Sequence, residues 1–174
     1  RALVANVHPP NWKNPSPTGR YNLVVVGAGT AGLVTASIAP GLGAKVALIE
    51  RYLMGGDCLN VGCVPSKVLV NAARLINTAK RAAEFSDAIP NTDRIDFGRV
   101  MDKVRQIRSS VSSIDSADRY TKLGVDIFFG SASFTSHNTV DVDGITLQFS
   151  KAVICSGTRP ASPNVSGLAE AGYL

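Results

Sequence analysis

Apolar and polar positions along this 174-residue chain follow first a strand rhythm, then a helix rhythm, then strands again. The β-branched run Tyr21-Asn22-Leu23-Val24-Val25-Val26 predicts a buried strand, and Leu33–Ala39 beyond the following glycines reads as helix. A second apolar run, Lys45-Val46-Ala47-Leu48-Ile49 ending at Glu50, predicts the partner strand. Val68, Leu69, Ala72, Leu75, Ile76, Ala79 and Ala83 recur at three and four residues, which predicts a helix from about Ser66 to Phe85. Beyond a break at Ile89-Pro90-Asn91, the stripe Phe97, Val100, Met101, Val104, Ile107, Val111, Ile114 predicts a second long helix, Phe97 to Leu123. Both stripes read as core and helix–helix packing, with Lys103, Arg105 and Arg108 on the solvated face. Short strands follow at Val125–Phe129, Thr139–Val142 and Ile145–Phe149, with Asp143-Gly144 as a hairpin turn. Lys151–Cys155 reads as a separate, central, buried strand, with Cys155 as a small core residue. Ser136-His137-Asn138 reads as a turn. Residues 1–19, punctuated by Pro9, Pro10, Pro15, Pro17 and Gly19, read as an extended leader anchored by Trp12, with His8 solvent-exposed.

The order of elements predicts an α/β fold: a central parallel sheet with flanking helices, a long helical pair and a small antiparallel meander. With 45% hydrophobic and 18% charged residues, residues 20–174 are expected to bury one core. No apolar run is long enough to span a membrane, and Arg1-Ala2-Leu3-Val4 is broken too soon for a secretory signal, so a cytoplasmic location is expected. A net charge of +5 invites a nucleic-acid partner. The basic residues are scattered, however, and aromatics are sparse at 6%, so neither nucleic acid nor membrane is expected as a partner. A modest positive field suits an anionic dinucleotide instead.

The first strand ends in Gly27-Ala28-Gly29-Thr30-Ala31-Gly32, a Gly-x-Gly-x-x-Gly placed between strand and helix. Gly27 allows the tight turn, Gly29 lets backbone approach a pyrophosphate, and Gly32 lets the helix pack on the strand. Glu50 stands where ribose hydroxyls are bound, and its carboxylate would repel a 2′-phosphate, which points to FAD or NAD rather than NADP.

The second chemical signal is Gly55-Gly56-Asp57-Cys58-Leu59-Asn60-Val61-Gly62-Cys63-Val64-Pro65-Ser66-Lys67. Val64 precedes a proline, so the helix is expected to begin near Pro65, with Cys63 beside its unpaired N–H groups, a setting that favours thiolate. A bend at Gly62 would bring Cys58 back to Cys63, and the pair reads as a reversible redox disulfide. Inert thiols or half of a zinc site are the alternatives. The remaining candidate ligands, Cys155, His8 and His137, are far off in sequence, so no metal site is expected. One nucleotide site next to a cysteine pair argues for a flavin over a nicotinamide.

Together these stretches resemble the pyridine nucleotide–disulfide oxidoreductases, and the resemblance continues into Ala152-Val153-Ile154-Cys155-Ser156-Gly157-Thr158-Arg159-Pro160. Ser66 before Lys67 resembles dihydrolipoamide dehydrogenase and mercuric reductase more than glutathione reductase. The resemblance implies Cys58 as the interchange thiol, Cys63 as the thiolate against the flavin, and Lys67 near the isoalloxazine. It implies that Gly27, Gly29, Thr30, Ala31, Gly32, Glu50, Arg51, Gly56, Asp57, Cys58 and Lys67 bind FAD. Gly130, Ser131 and Ala132 would meet the adenine, with Ser156 and Gly157 beside the flavin. Asp57 replaces the family's usual threonine and is expected to weaken phosphate binding unless it faces water or a backbone N–H. Cys155-Ser156 replaces the usual Ala-Thr.

No second glycine fingerprint follows residue 150. The expectation is therefore the N-terminal part of an FAD-binding domain, without nicotinamide-binding or dimer-interface domains. The parent would be a homodimer in which NADH or NADPH reduces FAD, FAD reduces the Cys58–Cys63 disulfide, and the dithiol reduces a small-molecule disulfide or a metal ion. An inactive nucleotide-binding module and a thiol redox sensor are the competing readings of the chain itself.

Overall fold

The structure is a computed structural model that describes residues 2–86 and 95–172. The expected break at Ile89-Pro90-Asn91 lies outside these residues. A six-stranded sheet runs in the order β3-β2-β1-β6-β5-β4. Its strands are β1 Tyr21–Val26, β2 Val46–Glu50, β3 Val125–Phe129, β4 Ala132–Ser136, β5 Thr139–Val142 and β6 Ile145–Ile154. The strands β3, β2, β1 and the second half of β6 are parallel, whereas β4, β5 and the first half of β6 form the antiparallel meander.

This is the expected α/β architecture, with one correction. Ile145–Phe149 and Lys151–Ile154 are a single strand: Ser150 stands alone between them, with no Gly or Pro beside it to break the extended chain. Residues 145–148 pair with β5, and residues 149–154 pair with β1. Nor is its end buried: Ile154 is 68% exposed. The Asp143-Gly144 turn forms as expected, both residues at positive φ, the arrangement of a type I′ hairpin. The turn at Ser136–Asn138 forms too, held by the Ser136 hydroxyl to Asn138 Oδ1 at 2.8 Å, with His137 exposed. Strand β4, which the sequence reading missed, is an exposed edge whose Phe134 packs edge-on against Phe149.

Helix α1 spans Ala2–Val7, α2 Thr30–Ile38, α3 Gly56–Asn60, α4 Cys63–Ala83, α5 Phe97–Val111, α6 Ala117–Lys122 and α7 Leu168–Ala171. The second long helix is therefore two. In the serine-rich joint, the hydroxyls of Ser110, Ser112, Ser113 and Ser116 each bond back to the carbonyl three residues earlier. Such bonds compete with the helix ladder, and Ser116 then caps α6 by accepting from Arg119 N–H at 3.2 Å.

The stripe on α4 is also less covered than expected. No α4 residue is buried, and Leu75 is 62% exposed. The described neighbours of α4 are chiefly α5 and α3, so one helical seam meets a stripe wider than itself. Arg108 departs from the predicted solvated face: it is half-buried and reaches Asn60.

The leader is not simply extended. It starts as α1, whose Val7 is fully buried in the core with Ala28, Met54 and Leu59. His8, expected in solvent, is half-buried and stacks on Phe129 with centroids 4.2 Å apart. The Trp12 indole anchors the segment through an N–H bond to the Ile127 carbonyl at 3.3 Å.

Candidate nucleotide and thiol site

The glycine turn, the acidic strand end and the cysteine loop converge at the carboxyl ends of β1, β2, β3 and β6, where open α/β sheets bind their ligands. Backbone sterics shape this corner. Gly27 sits at φ +103°, and a Cβ there would lie 2.2 Å from the Cys155 carbonyl oxygen. A Cβ on Gly32 would lie 1.8 Å from the Gly27 carbonyl oxygen, and one on Gly56 2.6 Å from Gly29 Cα. The three fingerprint glycines thus stand where backbone meets backbone. Helix α2 begins at Thr30 with no side-chain cap, so its first N–H groups face the cleft.

Glu50 is held in place rather than free. Its two carboxylate oxygens accept from the backbone N–H groups of Ala28 and Tyr52, each at 2.8 Å. Each oxygen keeps a further lone pair for another donor. Beside it, Gly130 N–H donates to the Glu50 carbonyl at 2.9 Å and ties the end of β3 to that of β2.

A cavity of about 1030 Å³ opens at this corner. Its wall gathers Gly27, Gly29, Thr30, Ala31, Glu50, Arg51, Gly56, Asp57, Cys58, Gly130, Ser131, Ala132, Ser156 and Gly157. Three of the expected residues are not on it. Gly32 is buried behind the turn, and Cys63 and Lys67 are exposed on the first turns of α4. The wall also includes Tyr52, Asn60, Thr158 and Arg159, for which no role was read from sequence. Cys155 is not a plain core residue: it follows β6, packs on the core from its rim and lines the cavity.

The cysteine loop is more helical than its sequence indicates. Gly55, at φ +91°, starts α3, which carries Asp57 and Cys58. The chain then reverses at Gly62, whose N–H donates to the Asp57 carbonyl at 2.5 Å, and α4 starts at Cys63, ahead of the expected Pro65. Proline is tolerated in a first turn because the N–H it lacks has no intrahelical partner there. Asn60 stitches the loop by donating to the carbonyls of Met54 and Gly56. Arg108 reaches Asn60 Oδ1 at 3.4 Å, and its buried Nε has no hydrogen-bond partner among the described residues. Asp57 is exposed to water, the condition under which its charge is least costly to a phosphate.

The two cysteines are free thiols in hydrogen-bonding contact. That contact, followed by partial burial and the proximity of Cys63, pushes the Cys58 thiol up from its ordinary range, while Thr30 and the Lys67 ammonium pull it down. Alkylation requires thiolate. Replacing Lys67 with methionine removes a cation that favours it, so the pH profile of Cys58 alkylation should move upward. Lys67→Arg should not move it. Mass-spectrometric quantification of iodoacetamide labelling across pH checks this, and an unmoved profile in the methionine variant would contradict the placement of Lys67.

Against this geometry, comparison with known proteins is decisive. The profile of the family described as "Pyridine nucleotide-disulphide oxidoreductase" matches residues 21–174. The chain belongs to that family. Among curated members, it is 32% identical over 155 residues to dihydrolipoyl dehydrogenase of Acholeplasma laidlawii, covering 87% of this chain and 45% of that protein. It is likewise 32% identical over 154 residues to mercuric reductase of Lysinibacillus sphaericus, covering 88% of this chain and 28% of that one. The chain thus spans less than half the length of either relative. In fold, it is similar to the HOCl-induced flavoprotein disulfide reductase RclA from Escherichia coli, solved as a Cu(II) complex of a cysteine-to-serine mutant. The TM-score is 0.69 at 22% identity, covering 88% of this chain and 32% of that one. Membership in the pyridine nucleotide-disulphide oxidoreductases makes the oxidoreductase class the frame for this corner. Among the described residues, no helix is long and apolar enough to cross a membrane.

Proposed function

We propose that this chain is the nucleotide-binding and dithiol part of an FAD-dependent disulfide oxidoreductase of the mercuric reductase or dihydrolipoyl dehydrogenase kind. One observation carries the reading: a single cavity wall holds both the glycine fingerprint and Cys58. The residues fit the cofactor. The cavity volume sits near the top of the roughly 300–1,000 Å³ typical of ligand pockets. Gly29 and Gly56 present bare backbone on the wall, and Glu50 retains acceptor capacity for ribose hydroxyls. Arg51 and Arg159 on the same wall offset Glu50 and Asp57.

When bound, FAD would supply two-electron chemistry between NADH or NADPH and the sulfur pair. This chain's residues supply the rest. The first N–H groups of α2 take the phosphates, Glu50 takes the ribose, and Gly130 to Ala132 face the adenine. Reduction of a Cys58–Cys63 disulfide takes two electrons and two protons, breaks the S–S bond and leaves two thiols. Their reoxidation returns the electrons to a small-molecule disulfide, which leaves as two thiols, or to a metal ion, with release of two protons. The proposal extends to a homodimeric parent, which the family resemblance supports, and to a cytoplasmic location.

Geometry and resemblance differ over one division of labour. The resemblance sets Cys63 against the flavin, whereas the cavity wall carries Cys58 and leaves Cys63 exposed.

The reading is tested on the purified full-length protein. It should carry an oxidised-flavin spectrum, or regain one when FAD is added, and NADH or NADPH should bleach it anaerobically. A protein that binds no flavin overturns the reading.

A further inference from the structure

The segment preceding β1 does more than shield a sheet edge. Asn14 covers the free edge of β3: its amide donates to the Phe129 carbonyl and its Oδ1 accepts from Phe129 N–H, both at 2.8 Å. With the Trp12 indole on Ile127, this accounts for edge protection. It does not account for Val7 and His8, which bind the loop leaving β2. The Val7 carbonyl accepts from Met54 N–H at 3.0 Å. His8 Nδ1 bonds the Tyr52 carbonyl, and since a carbonyl only accepts, Nδ1 carries the proton. Both main-chain polar groups of Tyr52 are therefore held, its N–H (in the peptide from Arg51) by Glu50 Oε1 and its carbonyl (in the peptide to Leu53) by His8. Asn60 holds the Met54 carbonyl at 3.2 Å from the cavity side of the same loop.

We propose that His8 is a positioning residue for the adenosine end of the nucleotide site. By fixing the carbonyl of Tyr52, whose N–H is held by Glu50, it restrains the main chain that aims the Glu50 carboxylate and sets the path of the loop from Glu50 to Gly55-Gly56. This rests on the reading above that a dinucleotide occupies the cavity. The ring is clamped between two jobs, stacking on Phe129 and donating to Tyr52, and two substitutions separate them. His8→Phe keeps an aromatic face for Phe129 and loses the donor. His8→Asn places an amide N–H where Nδ1 stood and loses the stack.

The experiment uses the full-length protein, freed of bound cofactor, with ADP and FAD as separate probes in calorimetric titrations and a ligand-free thermal midpoint as control. Loss of one hydrogen bond to a held carbonyl should weaken both probes about fivefold to tenfold in His8→Phe, with His8→Asn restored to within about twofold of wild type. Unchanged affinity in His8→Phe, or no restoration in His8→Asn, overturns the inference while leaving the cofactor site intact. A fall in the ligand-free midpoint with affinity unchanged below it shows a merely structural role and overturns it as well. Wild-type protein that binds neither probe removes the cofactor reading, and this inference with it.

Discussion

Replacing Gly27 with alanine should abolish measurable nucleotide binding and lower the urea midpoint of the protein. Two independent costs coincide at this residue. Its φ of +103° lies where a side chain is disfavoured, a strain of roughly 1–2 kcal/mol. The added methyl would also sit 2.2 Å from the Cys155 carbonyl oxygen and 2.8 Å from its carbon. Neither atom can give way cheaply. Cys155 N–H donates to the Val26 carbonyl at 2.7 Å and Gly27 N–H to the Ile49 carbonyl at 2.8 Å, so the turn is tied on both sides. Overpacking against fixed atoms adds about 1–3 kcal/mol. Relief comes only by moving the turn, which is the surface offered to the phosphates. Gly43→Ala is the matched control: it is off the cavity wall and its φ is +81°, but nothing lies within 4 Å of the added carbon. It should lose stability through backbone strain alone and keep most of its nucleotide affinity. Calorimetric titration with ADP and urea unfolding of both variants check this. Gly27→Ala binding ADP like wild type would contradict the proposed phosphate seat.

Single substitution of either Cys58 or Cys63 by serine should reduce disulfide or metal-ion turnover to the background of free flavin. The sulfurs are in contact across the reversal at Gly62, and a two-electron couple needs both. The double variant should lose no more than either single one, because residues acting as a unit are non-additive. The two single variants separate the sulfurs spectroscopically. Only the variant that keeps the flavin-facing thiol should show long-wavelength absorbance while its flavin is oxidised, and lose it as the flavin is reduced. Cys63 carries that role by resemblance, Cys58 by its place on the cavity wall. Anaerobic titration of both variants decides between them, and turnover persisting in either would dismiss the dithiol mechanism.

What could be read from sequence was local sterics. The positive φ at Gly27, the turn at Asp143-Gly144 and the acidic end of β2 are properties of short stretches, and each stands where the pattern puts it, although the clash that reserves Gly27 for glycine comes from Cys155 at the end of a distant strand. What escaped depends on distant partners. Helix α1 is six residues of weak pattern, and only the pocket that receives Val7 fixes it. His8 acquires its role from Tyr52 and Phe129, more than forty residues away. The hydroxyl–carbonyl bonds of the serine joint were visible as composition but hidden by an unbroken apolar stripe that continued through Val111 and Ile114. Arg108 looked like one of three surface cations until α3 placed Asn60 beside it. The gathering of most expected wall residues about one cavity reflects how strongly the two motifs constrain their own backbone.

The unbroken course of β6 couples the hairpin at Asp143-Gly144 to the corner where Cys155 meets Gly27. Because side chains alternate along a strand, slipping its hairpin by a single position would turn Ala152 and Val153 over and withdraw the Cys155 carbonyl from Gly27. A reversal at Asp143-Gly144 thereby sets the phase of a turn more than ten residues downstream, so fidelity in folding the meander is a precondition for a well-formed phosphate cradle.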